Sequence, residues 1–204
     1  MDYNVKQETE GFKKGCVEVV ESHKKNLTIS LTNVKKKNIP KYWNKEYINE
    51  MISKMPEGKD KMLCTFLWMT GVRITEALSL RKRDLDLKNY TAEIRHLKSR
   101  KYHTRTIPLH PRLRDLLGVY CAALNLDDRL FPISRQHAYE GVVKKWFGGG
   151  PHTFRHSFAV HWLRSGGELV SLSRALGHSN IRQTMIYLKI VPVDIGKVLM
   201  KIDF

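Results

Sequence analysis

The last third of the chain reads Pro151-His152-Thr153-Phe154-Arg155-His156-Ser157-Phe158, and after an apolar run it continues to Leu176-Gly177-His178-Ser179 and Tyr187. His152 and Arg155 are three residues apart, His178 follows Arg155 by 23 residues, and Tyr187 comes nine residues later. A guanidinium binds phosphate oxygens in a bidentate manner, an imidazole moves protons near neutral pH, and a tyrosine oxygen can attack phosphorus. The spacing therefore favours a site that breaks a phosphodiester through a phosphotyrosine.

The charge balance indicates the partner. The chain carries 36 Lys and Arg against 20 Asp and Glu, a formal charge of +16. This excess is typical of a protein that binds nucleic acid, so we expect nucleic acid as the partner, with a basic protein of other function or an anionic-membrane binder as the alternatives. No apolar run approaches the roughly 20 residues of a membrane span, and the N-terminus has no signal pattern. We therefore expect a cytoplasmic, nucleoid-associated protein.

The sequence divides near residue 40. Residues 1–40 are polar and lysine-rich and predict a basic arm or truncated remnant, with a hairpin over 16–31 as an alternative. The main domain is predicted over 41–204. The sequence predicts a helix that begins after Asn44 as its cap and a second helix from Lys59 to Met69, with Gly71 at its end. A short third helix is predicted at 74–80. Further helices are predicted at 111–124, 134–147, 152–165, 167–176, 180–189 and 193–202.

The period of the pattern changes between Asp84 and Leu109. Apolar and polar residues alternate there, which predicts two or three antiparallel strands joined by a basic turn at 98–103. The expected fold class is therefore α+β, mostly helical, with one small antiparallel sheet.

A second group of residues, Thr70-Gly71-Val72-Arg73-Ile74-Thr75-Glu76, places an arginine just after a glycine break and at a helix start. Such an arginine can point into a cleft, and the helix N-terminus favours a nearby phosphate. Glu76, one turn on, can pair with Arg73 or with another basic group. The alternative is a surface arginine with a weak salt bridge.

Histidine spacing raises the alternative of a metal site. His152, His156 and His161 are four and five residues apart on a predicted helix. A hydrolytic zinc motif of this kind has Glu at the position of Thr153, and Arg155 directly before His156 opposes cation binding. We therefore expect no metal and no cofactor, and we interpret His156 and His161 as packing or hydrogen-bonded residues. Cys16, Cys64 and Cys121 predict neither a disulfide framework nor a zinc site.

Four stretches carry a resemblance to a known family: 70–76, 152–161, Leu176-Gly177-His178-Ser179-Asn180 and Thr184-Met185-Ile186-Tyr187. They resemble the conserved boxes of the tyrosine recombinase (phage integrase, Xer-type) family over about residues 40–190. The resemblance implies a catalytic set, with Glu76 as a supporting residue that orients the basic cluster. The implied set is Arg73, Lys98, His152, Arg155, His178 and Tyr187.

The resemblance also implies a role for each residue. Arg73 and Arg155 would hold the scissile phosphate, His178 would hydrogen-bond to it, and His152 would assist proton transfer with the nucleophile. Tyr187 would attack and leave a 3′-phosphotyrosine and a free 5′-hydroxyl. A hairpin lysine would protonate the departing 5′-oxygen.

The basic hairpin departs from the family pattern, because its turn has no glycine and Ile107-Pro108-Leu109 lies nine residues after Lys98 and six after Lys101. Lys98 is preferred as the proton donor because it shares a strand face with Ile94, and Lys101 is the runner-up. A solvated charged turn is the alternative for the run. DNA contacts are expected from Lys98, Arg100, Lys101 and Arg105.

The N-terminus is a second departure, because 40 residues are too few for the helical core-binding domain that family members usually carry. An isolated catalytic domain and a minimal recombinase both fit. The amphipathic stretch 193–202 predicts a tail helix that packs on a neighbouring protomer or on its own domain. We expect a dimer or tetramer on DNA, with type IB topoisomerase-like relaxation and a non-catalytic DNA-binding protein as alternative functions.

Overall fold

The computed structural model describes residues 40–95 and 104–191. The first part contains helices α1 (Lys45–Lys54), α2 (Lys59–Thr70) and α3 (Ile74–Ser79), a 3-10 turn (Lys82–Asp84), and strands β1 (Leu85–Asp86), β2 (Thr91–Arg95) and β3 (Thr104–Pro108). The second part contains α4 (Pro111–Tyr120), a π-helix (His137–Lys144) that continues into α5 (Lys145–Phe147), α6 (Pro151–Arg164), α7 (Leu169–Leu176), α8 (Arg182–Met185) and a 3-10 segment (Ile186–Lys189). The predicted α+β, mostly helical class is confirmed.

The sheet is antiparallel in the order β1-β2-β3, as the alternating pattern predicts. Ala92 pairs with Ile107 and Ile94 pairs with Arg105. Directly paired residues share a face, so these four side chains lie on one side, and Ala92, Ile94 and Ile107 are buried there. Arg105 therefore extends from the buried face of the sheet. The predicted turn with Lys98, Arg100 and Lys101 lies outside the described residues.

The predicted helix ends are present where the sequence supplies caps. Asn44 accepts a hydrogen bond from the Tyr47 backbone N–H at 2.7 Å and begins α1. Gly71 follows α2 with φ 63°, the left-handed conformation that glycine adopts without strain. Gly177 follows α7 in the same way with φ 66°.

Three predicted helices were wrong in extent or type. The helix predicted to reach residue 124 ends at Tyr120, because the chain beyond it pairs with the 3-10 turn: the backbone N–H groups of Lys82 and Arg83 donate to Asp128 and Leu126. Most of the predicted 134–147 helix is π-helical. The predicted 180–189 helix is divided into α8 and the 3-10 segment. The predictions for residues 1–39 and 193–202 lie outside the described residues.

The core surrounds α2, which buries Leu63, Cys64, Phe66 and Leu67 completely and packs against α6. A second apolar cluster contains Ala159, Val160, Leu172, Leu176 and Tyr187. Tyr187 thus belongs to the packed interior between α6 and α7.

Cys64 and Cys121 are free thiols in this interior, and burial raises the pKa of both, that of Cys121 to about 11. None of the helices in residues 40–95 and 104–191 is long and apolar enough to cross a bilayer.

Candidate active site

Helix α6 presents His152, Arg155 and His156 on one face, because residues three and four apart on a helix are neighbours. Arg155 is 4 % exposed and donates from Nη1 to the Gly71 carbonyl at 3.0 Å and from Nη2 to the Leu176 carbonyl at 2.7 Å. These carbonyls lie at the C-terminal ends of α2 and α7, where the helix dipole favours a cation. One buried guanidinium therefore joins three helices at the site.

The pKa of Arg155 is lowered to about 10, chiefly by burial and then by the charge of Arg73. The side chain stays protonated near neutral pH. It therefore supplies a positive charge in an environment that screens it poorly, which strengthens attraction for an anion.

Arg73 and Glu76 form the predicted pair at the start of α3. Glu76 Oε2 accepts from the Arg73 backbone N–H at 2.9 Å, and Oε1 accepts from Arg73 Nη1 at 3.0 Å. The side chain of Arg73 is 22 % exposed whereas that of Glu76 is 2 % exposed. The carboxylate is thus buried beneath the arginine and fixes the direction of its guanidinium.

Arg105 is the second partner of this carboxylate. Its Nη1 and Nη2 donate to Glu76 Oε1 and Oε2 at 3.1 and 2.8 Å, and its Nε donates to the Ala175 carbonyl at 3.1 Å. Arg105 was predicted to contact DNA with the hairpin, but its side chain is 15 % exposed and turned inward. The DNA contact stays a prediction, and the structure assigns the side chain to the support of Glu76.

The pKa of Glu76 reflects these contacts. Burial opposes ionisation, yet the Arg105 hydrogen bonds, the Arg73 backbone N–H and the charges of both arginines lower the pKa to about 2. Glu76 is therefore ionised at all pH values near neutrality.

His178 follows the left-handed Gly177, which turns the chain at the end of α7. A Cβ at Gly177 would stand 2.9 Å from Arg105 Nη1, so this turn depends on glycine for space as well as for its φ angle. His178 Nδ1 lies 2.7 Å from Thr184 Oγ1, and Thr184 is fully buried. Burial, followed by the charges of Arg155, Arg73 and Arg105, lowers the pKa of His178 to about 4.

Tyr187 projects from the 3-10 segment into the same cluster and is 2 % exposed. Its Oη lies 2.9 Å from His156 Nδ1, and the two ring centroids are 5.8 Å apart. Burial raises the pKa of the Tyr187 phenol, although the charge of Arg155 opposes the rise. The pKa of His156 is lowered to about 4 by burial and by the charges of His152 and Arg155.

The described part of the chain thus brings Arg73, Arg155, His178 and Tyr187 together, with Glu76 beneath them. His152 lies exposed on the first turn of α6, close enough for its charge to act on His156. Lys98 lies outside the described residues. No group of three or more His, Cys, Asp or Glu side chains with the geometry to hold a metal ion occurs within residues 40–95 and 104–191.

Sequence reasoning did not assign His156 or Arg105 to this cluster. His156 was expected to be a packing or hydrogen-bonded residue, and its hydrogen bond is to the tyrosine oxygen itself. The register signal for Arg105 was present, because it is two residues before buried Ile107 on the same strand face. A guanidinium on the core side of a strand needs a buried carboxylate, and Glu76 supplies it.

A mostly helical domain with a three-stranded sheet that gathers arginines, histidines and a tyrosine in one cluster is the class that the sequence motifs predict. The family model described as the phage integrase family matches residues 41–192. The chain therefore belongs to the phage integrase family.

Similar curated proteins include the tyrosine recombinase XerC of Bacillus licheniformis, 33 % identical over 187 residues, and the tyrosine recombinase XerA of Saccharolobus solfataricus, 29 % identical over 168 residues. The matches cover 79 % and 77 % of this chain, and 60 % and 57 % of the two relatives. The chain thus spans somewhat over half the length of the curated relatives that it matches.

Solved structures show the same fold. The catalytic domain of bacteriophage HP1 integrase matches with a TM-score of 0.63 at 23 % identity, over 79 % of this chain and 94 % of that domain. The XerH site-specific recombinase bound to its palindromic difH substrate matches with a TM-score of 0.60 at 23 % identity, over 83 % of this chain and 55 % of XerH.

Proposed function

We propose that this chain carries the catalytic centre of a site-specific DNA recombinase or integrase, which cleaves and rejoins DNA strands through a 3′-phosphotyrosine. The observation that carries the proposal is the position of Tyr187. Its phenol lies 2.9 Å from an imidazole and close enough to Arg155 for that charge to act on its pKa. A tyrosine beside a buried guanidinium has its phosphate-binding partner next to the oxygen that would attack.

Arg73 and Arg155 would bind the non-bridging oxygens of the scissile phosphate and offset the charge that grows in the pentavalent transition state. Both are held before substrate arrives, Arg73 by Glu76 and Arg155 by two main-chain carbonyls. Little reorganisation would therefore accompany catalysis, which is the condition under which electrostatic stabilisation is most effective.

His178 would donate a hydrogen bond to the phosphate. Its lowered pKa keeps the imidazole neutral near pH 7, and Thr184 holds Nδ1 so that Nε2 remains for the substrate. His152 would assist proton transfer with the nucleophile, and Lys98, with Lys101 as the runner-up, would protonate the leaving 5′-oxygen. The exposed position of His152 on α6 leaves it accessible to DNA.

The reaction as proposed needs neither a metal ion nor ATP. Fixed arginines take the charge-neutralising role that metal ions fill in other phosphoryl-transfer enzymes. The phosphotyrosine bond conserves the energy of the broken phosphodiester, so a strand can be rejoined by attack of a 5′-hydroxyl. We therefore expect cleavage to persist in a chelator.

Double-stranded DNA is proposed as the partner, supported by the charge of +16 and by the XerH relative, whose structure contains its difH substrate. We further propose assembly into a dimer or tetramer on DNA, with 193–202 as a tail helix and 1–40 as a basic arm. Lys98, Arg100, Lys101 and Arg105 remain the proposed hairpin contacts. The proposed location is the cytoplasm, at the nucleoid.

The proposal is tested by incubating the wild-type chain and the Tyr187→Phe variant with nicked duplexes that span the junctions of the encoding element, in EDTA. A nick near the cleavage point releases a short fragment and traps the covalent product. We expect a protein–DNA adduct that survives denaturation for the wild type alone. An adduct formed equally by Tyr187→Phe, or one that needs a divalent ion, would contradict the proposal.

A further inference from the structure

The hydrogen bond between His156 and Tyr187 connects two residues that are 31 positions apart in the chain. Tyr187 Oη is the reacting atom under the proposed function, and the imidazole nitrogen 2.9 Å away is the ring nitrogen closest to the backbone. We propose that His156 is a catalytic residue that accepts the phenol proton as Tyr187 Oη attacks the phosphorus. This inference rests on the proposed function and gives the direct acceptance of the proton to His156, which contacts the phenol, while His152 assists from the exposed first turn of α6.

The protonation states of the pair suit this transfer. The phenol keeps its proton, because burial disfavours a phenolate and raises the pKa of Tyr187. His156 is neutral near pH 7, because burial and the charges of His152 and Arg155 lower its pKa to about 4. A neutral imidazole has one nitrogen lone pair with which to accept a proton.

The step balances as a general-base reaction. Tyr187 Oη forms a bond to phosphorus while its proton passes to His156 Nδ1, and the bond from phosphorus to the 5′-oxygen breaks. The hairpin lysine protonates the leaving 5′-oxygen. The phenol becomes more acidic as its oxygen bonds to phosphorus. The positive charge of Arg155 disfavours protonation of His156, and the negative charge of the bound phosphate offsets this effect.

The surrounding packing holds the acceptor in place. His156 is adjacent to Arg155 on α6, so the phosphate-binding group and the proton acceptor share one rigid helix. Tyr187 is packed with Ala159, Val160 and Leu172 of α6 and α7. The distance between the phenol oxygen and the imidazole is therefore set by the core and not by a surface loop.

The test compares adduct formation by the 204-residue wild type and the His156→Asn variant. Asparagine places a hydrogen-bonding atom near the position of Nδ1 but does not take up a proton at neutral pH. The probes are a nicked duplex on which the wild type forms an adduct, and the same duplex with sulfur replacing the bridging 5′-oxygen. A sulfur leaving group needs no protonation, so this second duplex separates defects in the base from defects in the leaving-group acid.

We expect His156→Asn to form the adduct about 10² to 10⁴ times more slowly than wild type on both duplexes, which is the usual contribution of general acid–base catalysis. Lys98→Ala should be slow on the oxygen duplex and rescued on the sulfur duplex. His161→Asn is the matched control: it lies on the same helix, its ring centroid is 5.4 Å from that of Trp68, and it should cleave at the wild-type rate. Duplex affinity and melting temperature should be alike for the wild type and His156→Asn.

Cleavage by His156→Asn at the wild-type rate or faster would overturn the inference, because the hydrogen bond would then only hold the tyrosine at rest. Rescue of His156→Asn by the sulfur duplex would also overturn it and place His156 on the leaving-group side. The absence of any adduct from the wild type itself would be a different result, because it would overturn the proposed function and the inference together.

Discussion

The Glu76 carboxylate is 2 % exposed and accepts hydrogen bonds from the guanidinium groups of Arg73 and Arg105. Only one of these arginines faces the proposed phosphate. The other approaches from the buried face of the sheet and neutralises the carboxylate from behind. At the scale of single residues, the strength of the site therefore depends on a buried ion pair beneath the phosphate-binding arginine.

Replacing Glu76 with Gln leaves two arginines without their buried counter-charge. Removing one partner of a buried ion pair costs about 3 to 5 kcal/mol of unfolding free energy, and we expect a loss of that size together with a strong loss of adduct formation. Urea denaturation measures the first effect. The control is Glu50→Gln, which breaks the exposed pair of Glu50 with Lys54 and should cost less than about 1 kcal/mol. Similar costs for the two variants would contradict the account of Glu76.

The histidines predict a pH dependence of stability. His178 has a folded pKa of about 4 against an ordinary value of 6.5, so between these pH values the unfolded chain binds the proton and the folded chain does not. The contribution of neutral His178 to the unfolding free energy is therefore fully present above pH 6.5 and is lost as the pH falls towards 4. The contribution is at most about 1.4 kcal/mol for each unit of pKa difference.

Removing the His178 imidazole should make the unfolding free energy depend less strongly on pH. We expect the unfolding free energy of His178→Gln to fall less than that of the wild type when the pH is lowered from 7 to 5. Urea titrations at the two pH values measure the difference. A variant that loses as much stability as the wild type over this range would show that His178 does not titrate as the structure indicates.

At the scale of elements, the caps and the strand alternation were readable from sequence because they depend on neighbours. Asn44, Gly71 and the alternation across Ala92 and Ile94 act within a few residues, and the structure places them as predicted. The π-helix at His137–Lys144 and the early end of α4 depend on packing against distant segments, which no local pattern records.

The same distinction separates the predicted from the unpredicted parts of the site. The Arg73–Glu76 pair is three residues apart and was anticipated as one of two pairings. The Glu76–Arg105 and His156–Tyr187 contacts join residues 29 and 31 positions apart. Their existence depends on how β3, α3, α6 and the 3-10 segment pack together, so the sequence motifs identified the participants only in part.

Gly71 tests how the end of α2 supports Arg155. Its φ is 63°, and an added Cβ would stand 2.4 Å from Phe158 Cδ1, while its carbonyl accepts from Arg155 Nη1. We expect Gly71→Ala to lower the unfolding free energy by about 2 kcal/mol or more and to slow adduct formation. Gly118→Ala is the matched control, because no atom lies within 4 Å of that Cβ on α4 and alanine should stabilise the helix by about 0.5 to 1 kcal/mol. A neutral Gly71→Ala would contradict the need for a left-handed glycine here.

At the scale of the whole molecule, and under the proposed function, the excess of basic residues sets how strongly the chain is attracted to duplex DNA. Phosphate contacts release counterions, so affinity falls with salt in proportion to the number of contacts. Lys35, Lys36 and Lys37 lie in the predicted basic arm. If the arm takes part in clamping the duplex, these side chains contribute to that salt dependence.

Replacing all three lysines with Gln should weaken binding to any duplex and reduce the slope of log affinity against log salt by up to about 2.7, or 0.9 for each lost contact. Fluorescence anisotropy over a salt series measures both quantities. The triple Lys→Arg variant keeps the charge and should bind as the wild type does. An unchanged slope in the Gln variant would remove the arm from the DNA-binding surface.

The central claim is that Tyr187 becomes joined to a DNA 3′-phosphate, and mass spectrometry of the trapped adduct tests it most directly. Trypsin cuts after Arg182 and Lys189 and releases residues 183–189, which contain one tyrosine. After nuclease treatment of the adduct, the account predicts a residual nucleotide phosphate on this peptide, attached to Tyr187 through the 3′ position. A nucleotide on any other tyrosine peptide, or one attached through a 5′-phosphate, would contradict the account.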